Sequence, residues 1–138
     1  ASLRSDLPLI IHCREAQADV LAILRESGTV APIVMHCFTG DFAAAQACLD
    51  QGCYLGIGGV ATFKKSAAIR EAIACAPLGR ILLETDCPYL APQQWRGKRN
   101  EPSYLPAIAE TVAEAKGLPV EEIASITTST ARTLFRMA

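Results

Sequence analysis

The sequence carries almost no net charge. Its 13 lysine and arginine residues nearly balance 14 aspartate and glutamate residues, which leaves a formal net charge of −1 and an isoelectric point of about 6.1. A chain with this balance has no general basic field to attract nucleic acid or an anionic lipid surface. Any contact with nucleic acid must therefore come from a local group of side chains.

Long apolar runs are also missing. The most continuous ones, such as residues 7–11 and 33–35, are far shorter than the roughly 20 residues that a membrane-spanning helix needs. Residues 1–8, with the sequence ASLRSDLP, lack the charged and then apolar pattern of a signal sequence. We therefore expect a soluble, cytoplasmic protein.

The six cysteines include no Cys-x-x-Cys pair, the spacing that is common in structural zinc sites. A secreted disulfide scaffold is the less favoured interpretation, because aliphatic strands and alanine-rich helices supply a core that such scaffolds lack. Cys13, Cys37 and Cys87 lie in or just after apolar runs, where a free thiol packs as a small hydrophobe. We expect buried, reduced cysteines, which again favours the cytoplasm.

What the sequence does contain is a repeated alternation of apolar runs and amphipathic stretches. With 138 residues, of which 51% are hydrophobic, the chain can bury one core, so we predict one unit over residues 1–138. Short apolar runs followed by amphipathic stretches are typical of β-α units with a parallel sheet. The predicted fold class is α/β. Strands are predicted at residues 7–12, 32–36, 53–57 and 80–84, and helices at residues 15–27, 41–50, 66–75, 103–116 and 120–135.

The only two histidines, His12 and His36, lie at the carboxyl ends of the first two predicted strands, and Asp86 follows the fourth. In a parallel sheet these ends meet at one edge, where α/β proteins bind their ligands. Two imidazoles and a carboxylate are a ligand set that holds a divalent metal and polarises water. Two alternatives stay open: ordinary hydrogen-bonded histidines, and a turn-forming Asp86 ahead of Pro88.

Further polar residues follow the same strand ends. Glu84 lies two residues before Asp86, so it points to the same face and needs a cationic or hydrogen-bonding partner. Arg14 is a candidate for that partner or for a phosphate clamp. Lys98 and Arg99 lie on the loop that follows, where an anionic substrate would be gripped. For each of these cations a solvated surface charge is the alternative.

Five segments, taken in order, carry a family resemblance. They are HCR at residues 12–14, MHCFTG at 35–40, LGIGG at 55–59, ETDCPYLAP at 84–92 and RGKRNEP at 96–102. Together they closely resemble the TatD family of metal-dependent deoxyribonucleases. The last two segments are the most specific part of the match.

The resemblance implies a TIM-type (β/α)8 barrel that hydrolyses phosphodiester bonds in DNA with one or two divalent metal ions, for which Mg²⁺, Mn²⁺ and Zn²⁺ are candidates. It also implies that His12 and His36 are metal ligands. Asp86 corresponds to a ligand that orients or deprotonates the attacking water. The candidates for substrate binding are Arg14, Lys98 and Arg99.

Two parts of the family pattern have no counterpart in this sequence: a His-x-His pair on the first strand and a metal-bridging glutamate. A complete barrel needs about 250 residues. We therefore predict that residues 1–138 are the C-terminal half of a single barrel, four parallel β-α units plus a C-terminal helix. Such a half is expected to be inactive alone and to self-associate or pair with the missing N-terminal half. Thr130 stands where the family often has asparagine.

Two other functions remain open from the sequence. An amidohydrolase-type barrel also cleaves amides, esters and lactones, so the substrate could be another small molecule. A half-barrel could also be a non-catalytic assembly partner.

Overall fold

A computed structural model describes residues 7–137, in which four strands alternate with helices and two helices follow the last strand. The expectation about a signal sequence at residues 1–8 falls largely outside these residues. The strands are β1 (Leu9–His12), β2 (Ile33–His36), β3 (Tyr54–Ile57) and β4 (Ile81–Leu83). The helices are α1 (Gln17–Ser27), α2 (Phe42–Asp50), α3 (Ala67–Cys75), α4 (Leu105–Lys116) and α5 (Val120–Phe135).

The predicted order of elements is confirmed, although several boundaries differ. Helix α1 begins two residues later than predicted because Glu15 adopts a left-handed conformation with φ of 54°, which a right-handed helix cannot contain. Strand β4 ends at Leu83, although the N–H of Glu84 still donates to the carbonyl of Ile57 at 3.1 Å. Helix α4 is preceded by a 3-10 turn at Pro102–Tyr104.

The four strands form one parallel sheet in the order β1-β2-β3-β4, which confirms the predicted α/β class. Each neighbouring pair of strands is joined by a crossover that contains a helix, as a parallel pair requires. Register places His12 beside His36 at the carboxyl ends of β1 and β2. The sheet therefore brings both histidines to one edge, as predicted.

Local signals account for the helix ends. Asp41 is the predicted N-cap of α2, and its side chain accepts a hydrogen bond from the N–H of Ala44 at 2.9 Å. Gly28 ends α1 in the left-handed conformation, with φ of 59°, that favours glycine. These ends hold the strands to the short lengths that the sheet shows.

The two faces of the sheet bury different amounts of apolar surface. The main core lies between the sheet and the helices, and it includes Ile33, Met35, Leu55, Ile57, Ile81, Ile73, Ile108 and Val112. On the other face a small cluster joins Val34 and Leu82 to Leu134 of α5. Because side chains alternate along a strand, His36 and Glu84 lie on this second face, two residues beyond Val34 and Leu82.

The long loop after β4 is held by one buried polar residue, Asn100, which is 2% exposed. Its Nδ2 donates to the carbonyl of Tyr89 at 2.7 Å, and its N–H donates to the carbonyl of Pro88 at 3.0 Å. Its Oδ1 accepts from the N–H of Glu101 at 2.9 Å. The two ends of the loop are thereby joined, which fixes the turn that follows Asp86.

The six cysteines are free thiols. Cys48 and Cys53 are buried, and burial raises the pKa of Cys48 to about 12. The prediction of burial was wrong for Cys87, which is exposed because the chain leaves the sheet after Leu83 and turns outward. Within residues 7–137 no helix has the length and apolar character needed to cross a membrane.

Replacing Gly59 with alanine is expected to lower the free energy of unfolding by about 1–3 kcal/mol. An alanine Cβ there would overlap the carbonyl oxygen of Leu90 and lie 3.2 Å from the nitrogen of Pro92, so the loop backbone would have to move. Gly79 is the matched control, since it also lies in a 3-10 turn and a Cβ there meets no atom within 4 Å. Gly79→Ala should change stability by less than about 0.5 kcal/mol. Urea unfolding measures both, and equal losses would contradict this packing.

Candidate active site

The two histidines lie side by side at the carboxyl edge of the sheet. The ring centroids of His12 and His36 are 5.9 Å apart, and the rings are inclined by 47°. His12 is exposed on the edge strand, whereas the side chain of His36 is 23% exposed. The parallel register of β1 and β2 produces this arrangement, because it pairs the last residue of each strand.

His36 stands between two carboxylates. Its Nδ1 lies 2.8 Å from Oε1 of Glu84, and its Nε2 lies 3.5 Å from Oδ1 of Asp86. The same Glu84 oxygen accepts a hydrogen bond from the N–H of Cys37 at 2.5 Å. A neutral imidazole that donates from Nδ1 keeps a lone pair on Nε2. Glu84 therefore orients the ring so that its free nitrogen faces Asp86.

A glycine makes room for the Glu84 carboxylate. An alanine Cβ at Gly56 would lie 2.6 Å from Oε2 of Glu84 and 2.9 Å from Oε1. Gly56 is in the middle of β3, where a residue with a side chain would cover the space between Glu84 and His36. The missing side chain lets one carboxylate cross beneath β3 and reach β2.

The pair His36 and Asp86 fits a metal ion on the chemistry and spacing of its donor atoms. Two ligand atoms bound about 2.1 Å from a tetrahedral metal lie about 3.4 Å apart, close to the 3.5 Å between Nε2 and Oδ1. A carboxylate on the second imidazole nitrogen is the usual support of a metal-binding histidine. Within residues 7–137, however, no three acidic, histidine or cysteine side chains are close enough to form a complete site. His12 therefore remains a predicted ligand.

The electrostatics around His36 favour a cation. Burial raises the pKa of the neighbouring Cys37 thiol to about 11, and the negative charges of Glu84 and Asp86 add to the rise, while Arg14 opposes it. The thiol is therefore neutral near pH 7, and the two carboxylates dominate the local field. A divalent cation would compensate these negative charges.

Arg14 was a candidate partner for Glu84, and the structure gives that place to His36 and Cys37. Arg14 is exposed after β1, and within the described residues it makes no hydrogen bond or ion pair. Its charge still acts on Cys37, so it lies near the site. The role of Arg14 in binding a substrate stays a prediction.

The other two predicted cations lie on the loop after β4. Arg99 lines a cleft with Cys87 and Pro88, the residues that follow Asp86. Lys98 is exposed, and its backbone N–H donates to the carbonyl of Trp95 at 2.9 Å. No hydrogen bond or ion pair joins either side chain to the pair His36 and Asp86 in the part of the chain that the structure describes.

Sequence reasoning missed Gly56 and Asn100. The signal for Gly56 was a glycine inside a strand, which often marks a close approach by another group. No signal identified Asn100, because a polar residue in a polar loop has no distinguishing pattern.

Comparison with known proteins now identifies the family. The family described as TatD related DNase matches residues 1–136. The chain belongs to this family. It is 50% identical over 133 residues to the uncharacterized metal-dependent hydrolase YabD of Bacillus subtilis, a match that covers 96% of this chain and 52% of that protein. It is 42% identical over 139 residues to the 3'-5' ssDNA/RNA exonuclease TatD of Pantoea vagans, covering 96% of this chain and 54% of that one.

Solved structures of the TatD family show the same fold. The chain superposes on the crystal structure of YJJV, a TatD homolog from Escherichia coli K12, with a TM-score of 0.92 and 29% identity. The match covers 99% of this chain and 53% of that one. The α/β fold with its four parallel strands therefore agrees with that of TatD barrels. The chain spans about half the length of the curated relatives it matches.

Gly56→Ala is expected to displace Glu84 and release the Nδ1 proton of His36, because the new Cβ would occupy the place of the carboxylate. The control is Gly58→Ala, whose Cβ would only touch Glu84 at 3.8 and 3.9 Å. Long-range ¹H–¹⁵N spectra at about pH 8.5 distinguish the two neutral tautomers of a histidine, and the chain has only two histidines to assign. We expect the Nδ1–H tautomer of His36 in the parent chain and in Gly58→Ala, and a mixture in Gly56→Ala. An unchanged spectrum in Gly56→Ala would show that Glu84 does not orient the ring.

Proposed function

We propose that this chain carries the carboxyl-edge part of the active site of a TatD-like, metal-dependent deoxyribonuclease. The observation that carries the proposal is the linked set of Glu84, His36 and Asp86, in which one imidazole nitrogen is fixed by a carboxylate and the other faces a second carboxylate. The family, and a relative named as a 3'-5' ssDNA/RNA exonuclease, support phosphodiester hydrolysis. The free cysteines are in keeping with a cytoplasmic location.

Each residue of the set has a distinct role in this proposal. His36 and Asp86, with His12 from the neighbouring strand, would hold one or two divalent ions, with Mg²⁺, Mn²⁺ and Zn²⁺ as candidates. When bound, such an ion activates a water molecule and polarises a phosphoryl oxygen. Glu84 holds the proton on Nδ1 of His36 and keeps Nε2 free as a ligand atom. The side chain of Asp86 is 38% exposed, so its second oxygen is accessible to accept a proton from the attacking water.

The cations near the strand ends support an anionic substrate. Arg14 follows β1, and Lys98 and Arg99 lie on the loop after β4, where Arg99 borders the turn that carries Asp86. Guanidinium and ammonium groups bind phosphate oxygens by charge-assisted hydrogen bonds. We propose that these three residues bind the phosphates of DNA.

We further propose that additional barrel strands cover the two edges of the sheet in the functional protein. Within the described residues, β1 and β4 each have a neighbour on one side only. Ile10 of β1 is 57% exposed, and Leu83 of β4 lines an apolar groove of about 370 Å³ with Leu105 and Ala109 of α4. The chain covers 52% of the length of its relative in Bacillus subtilis, so a related protein of that length contains enough further residues to form the missing strands. Those strands would also bring the remaining metal ligands.

Metal binding tests the site directly. We expect substoichiometric Mn²⁺ to broaden the side-chain NMR signals of His12 and His36 in the 138-residue chain, because paramagnetic broadening detects even the weak binding expected of an incomplete site. Asp86→Asn should abolish most of the broadening, since the amide is a poor metal ligand of nearly the same volume. Asp50→Asn is the matched control, because Asp50 is exposed at the end of α2 and bonds only to Gln46.

Equal broadening in the parent chain and in Asp86→Asn would remove Asp86 from the metal site, and no broadening at either histidine would refute the proposed site. In the complete barrel Asp86→Asn should also lower kcat/KM for oligonucleotide hydrolysis by at least about 100-fold. Turnover within a few-fold of the parent would contradict the role given to Asp86.

The open edges lead to a prediction about association. The 138-residue chain alone is expected to form dimers or larger assemblies, because unpaired strand edges and the apolar groove would be covered by a second copy in the absence of the other strands. Light scattering over a range of concentrations measures this. A stable monomer at high concentration would contradict the proposal that other strands cover the edges.

A further inference from the structure

Five cations lie on two loops at the carboxyl edge of the sheet. Lys64 and Lys65 follow β3, and Arg96, Lys98 and Arg99 follow β4. These five are among only 13 lysine and arginine residues in a chain whose net charge is −1. No acidic residue occurs in residues 62–65 or 93–99, the two segments that carry them. We call these five residues the cationic surface.

The two loops are joined to each other by specific contacts. The N–H of Gln93 donates to Oγ1 of Thr62 at 2.8 Å, and the N–H of Lys64 donates to Oε1 of Gln93 at 3.2 Å. The guanidinium carbon of Arg96 lies 4.4 Å from the centre of the Phe63 ring. The relative position of the two groups of cations is therefore set before any ligand binds.

A further residue holds the first loop from below. Arg70 of α3 donates to the carbonyl of Ala61 at 3.0 Å and to that of Phe63 at 2.8 Å. These bonds satisfy backbone carbonyls with a charged donor, so they stiffen the loop that presents Lys64 and Lys65. A preformed surface loses less conformational entropy when a ligand binds to it.

The cations of this surface are free, in contrast to several others in the molecule. In the described part of the chain, Lys64, Lys65, Lys98 and Arg99 make no side-chain hydrogen bond or ion pair. By comparison, Arg80 donates to the carbonyl of Gly52 and stacks on Tyr54, and Lys116 donates to the carbonyls of Ala74 and Ala76. Four unpaired charges on fixed loops are available to bind an anion with several negative charges.

The cationic surface extends from the turn that carries Asp86. Asn100 bonds to the carbonyls of Pro88 and Tyr89 in that turn, and Arg99 lines the cleft beside Pro88. The chain then runs back through Arg96, which covers Phe63 next to Lys64. Arg99 is thus the end nearer to Asp86, and the two lysines after β3 form the other end.

Planar groups lie along the same two loops. The rings of Trp95 and Tyr104 stack at a centroid distance of 3.9 Å, and Arg96 presents a guanidinium plane over Phe63. Tyr89, in the turn after Asp86, is 71% exposed. Aromatic rings and guanidinium planes stack on unpaired bases, whereas the bases of a duplex are covered by their neighbours.

We propose that the cationic surface binds single-stranded nucleic acid beyond the bond that is cut, with Lys64 and Lys65 contacting phosphates that the loop after β4 does not reach. The inference rests on the proposed function only in placing the cleaved bond near Asp86. It adds a second loop, from β3, to the substrate site, and it assigns the preference for a single strand to the exposed planar groups.

The test is a binding experiment with a chelator present, so that it is independent of metal and catalysis. The probe is fluorescein-labelled oligo(dT) of about 12 nucleotides, within the site sizes of known single-strand binders, and anisotropy gives Kd from about 50 to 200 mM salt. We expect the double variant Lys64→Gln, Lys65→Gln to bind about tenfold more weakly at the lowest salt. Its plot of log Kd against log salt should also be shallower by about 1.4, because each lost contact with a single strand removes about 0.7.

Two comparisons make the result specific. The double variant Arg25→Gln, Arg132→Gln is the control of equal charge, since both arginines are exposed on helices α1 and α5, away from the two loops. It should bind within about twofold of the parent chain, because contributions from charges beyond the Debye length are screened. A blunt duplex of the same length should bind the parent chain at least about tenfold more weakly than the single strand.

Several results would overturn the inference: no detectable binding at the lowest salt, an unchanged Kd in the lysine variant, or an equal loss in the arginine control. Equal binding of duplex and single strand would refute the assigned preference. Circular dichroism and thermal unfolding of each variant establish that its fold is intact. Because no metal is present, the surface could pass this test while the Mn²⁺ experiment on Asp86 fails, and the reverse outcome would leave the proposed function standing alone.

Discussion

The arrangement of the site depends on one carboxylate that crosses the sheet. Glu84 begins beyond β4 and ends in contact with β2, where it holds both Nδ1 of His36 and the backbone N–H of Cys37. Without it the imidazole would be free to rotate, and the N–H of Cys37, which lies in a left-handed conformation with φ of 49°, would lose its partner. The lack of a side chain at Gly56 is what makes the crossing possible. One polar interaction therefore links three neighbouring strands at the edge where the candidate ligands meet.

Much of the fold could be predicted because it depends on patterns that repeat along the chain. Apolar runs, caps such as Asp41 and stops such as Gly28 give the strands and helices, and the parallel order then brings His12 and His36 to one edge. The partner of Glu84 could not be predicted in the same way. Sequence spacing suggested Arg14, but the actual partner depends on the register of three strands and on an empty position in the middle one.

Loop structure was the other part that sequence patterns did not determine. Cys87 was expected to be buried because it follows an apolar strand, yet the chain turns outward before reaching it. The contact between the two loops of the cationic surface joins Phe63 to Arg96, residues that are far apart in the sequence and have no shared pattern. Such contacts arise from tertiary packing, so a single sequence carries no local signal for them.

The buried Asn100 has a consequence for how this fold can change over time. It ties the far end of the long loop to the turn after Asp86, and Gln93 ties the near end to the loop after β3. The segment between these two anchors, residues 94–99, can therefore change in length and charge without moving the carboxylate of Asp86. Descendants of this fold could adapt to different substrates through that segment alone, while the residues that hold the metal stay as they are.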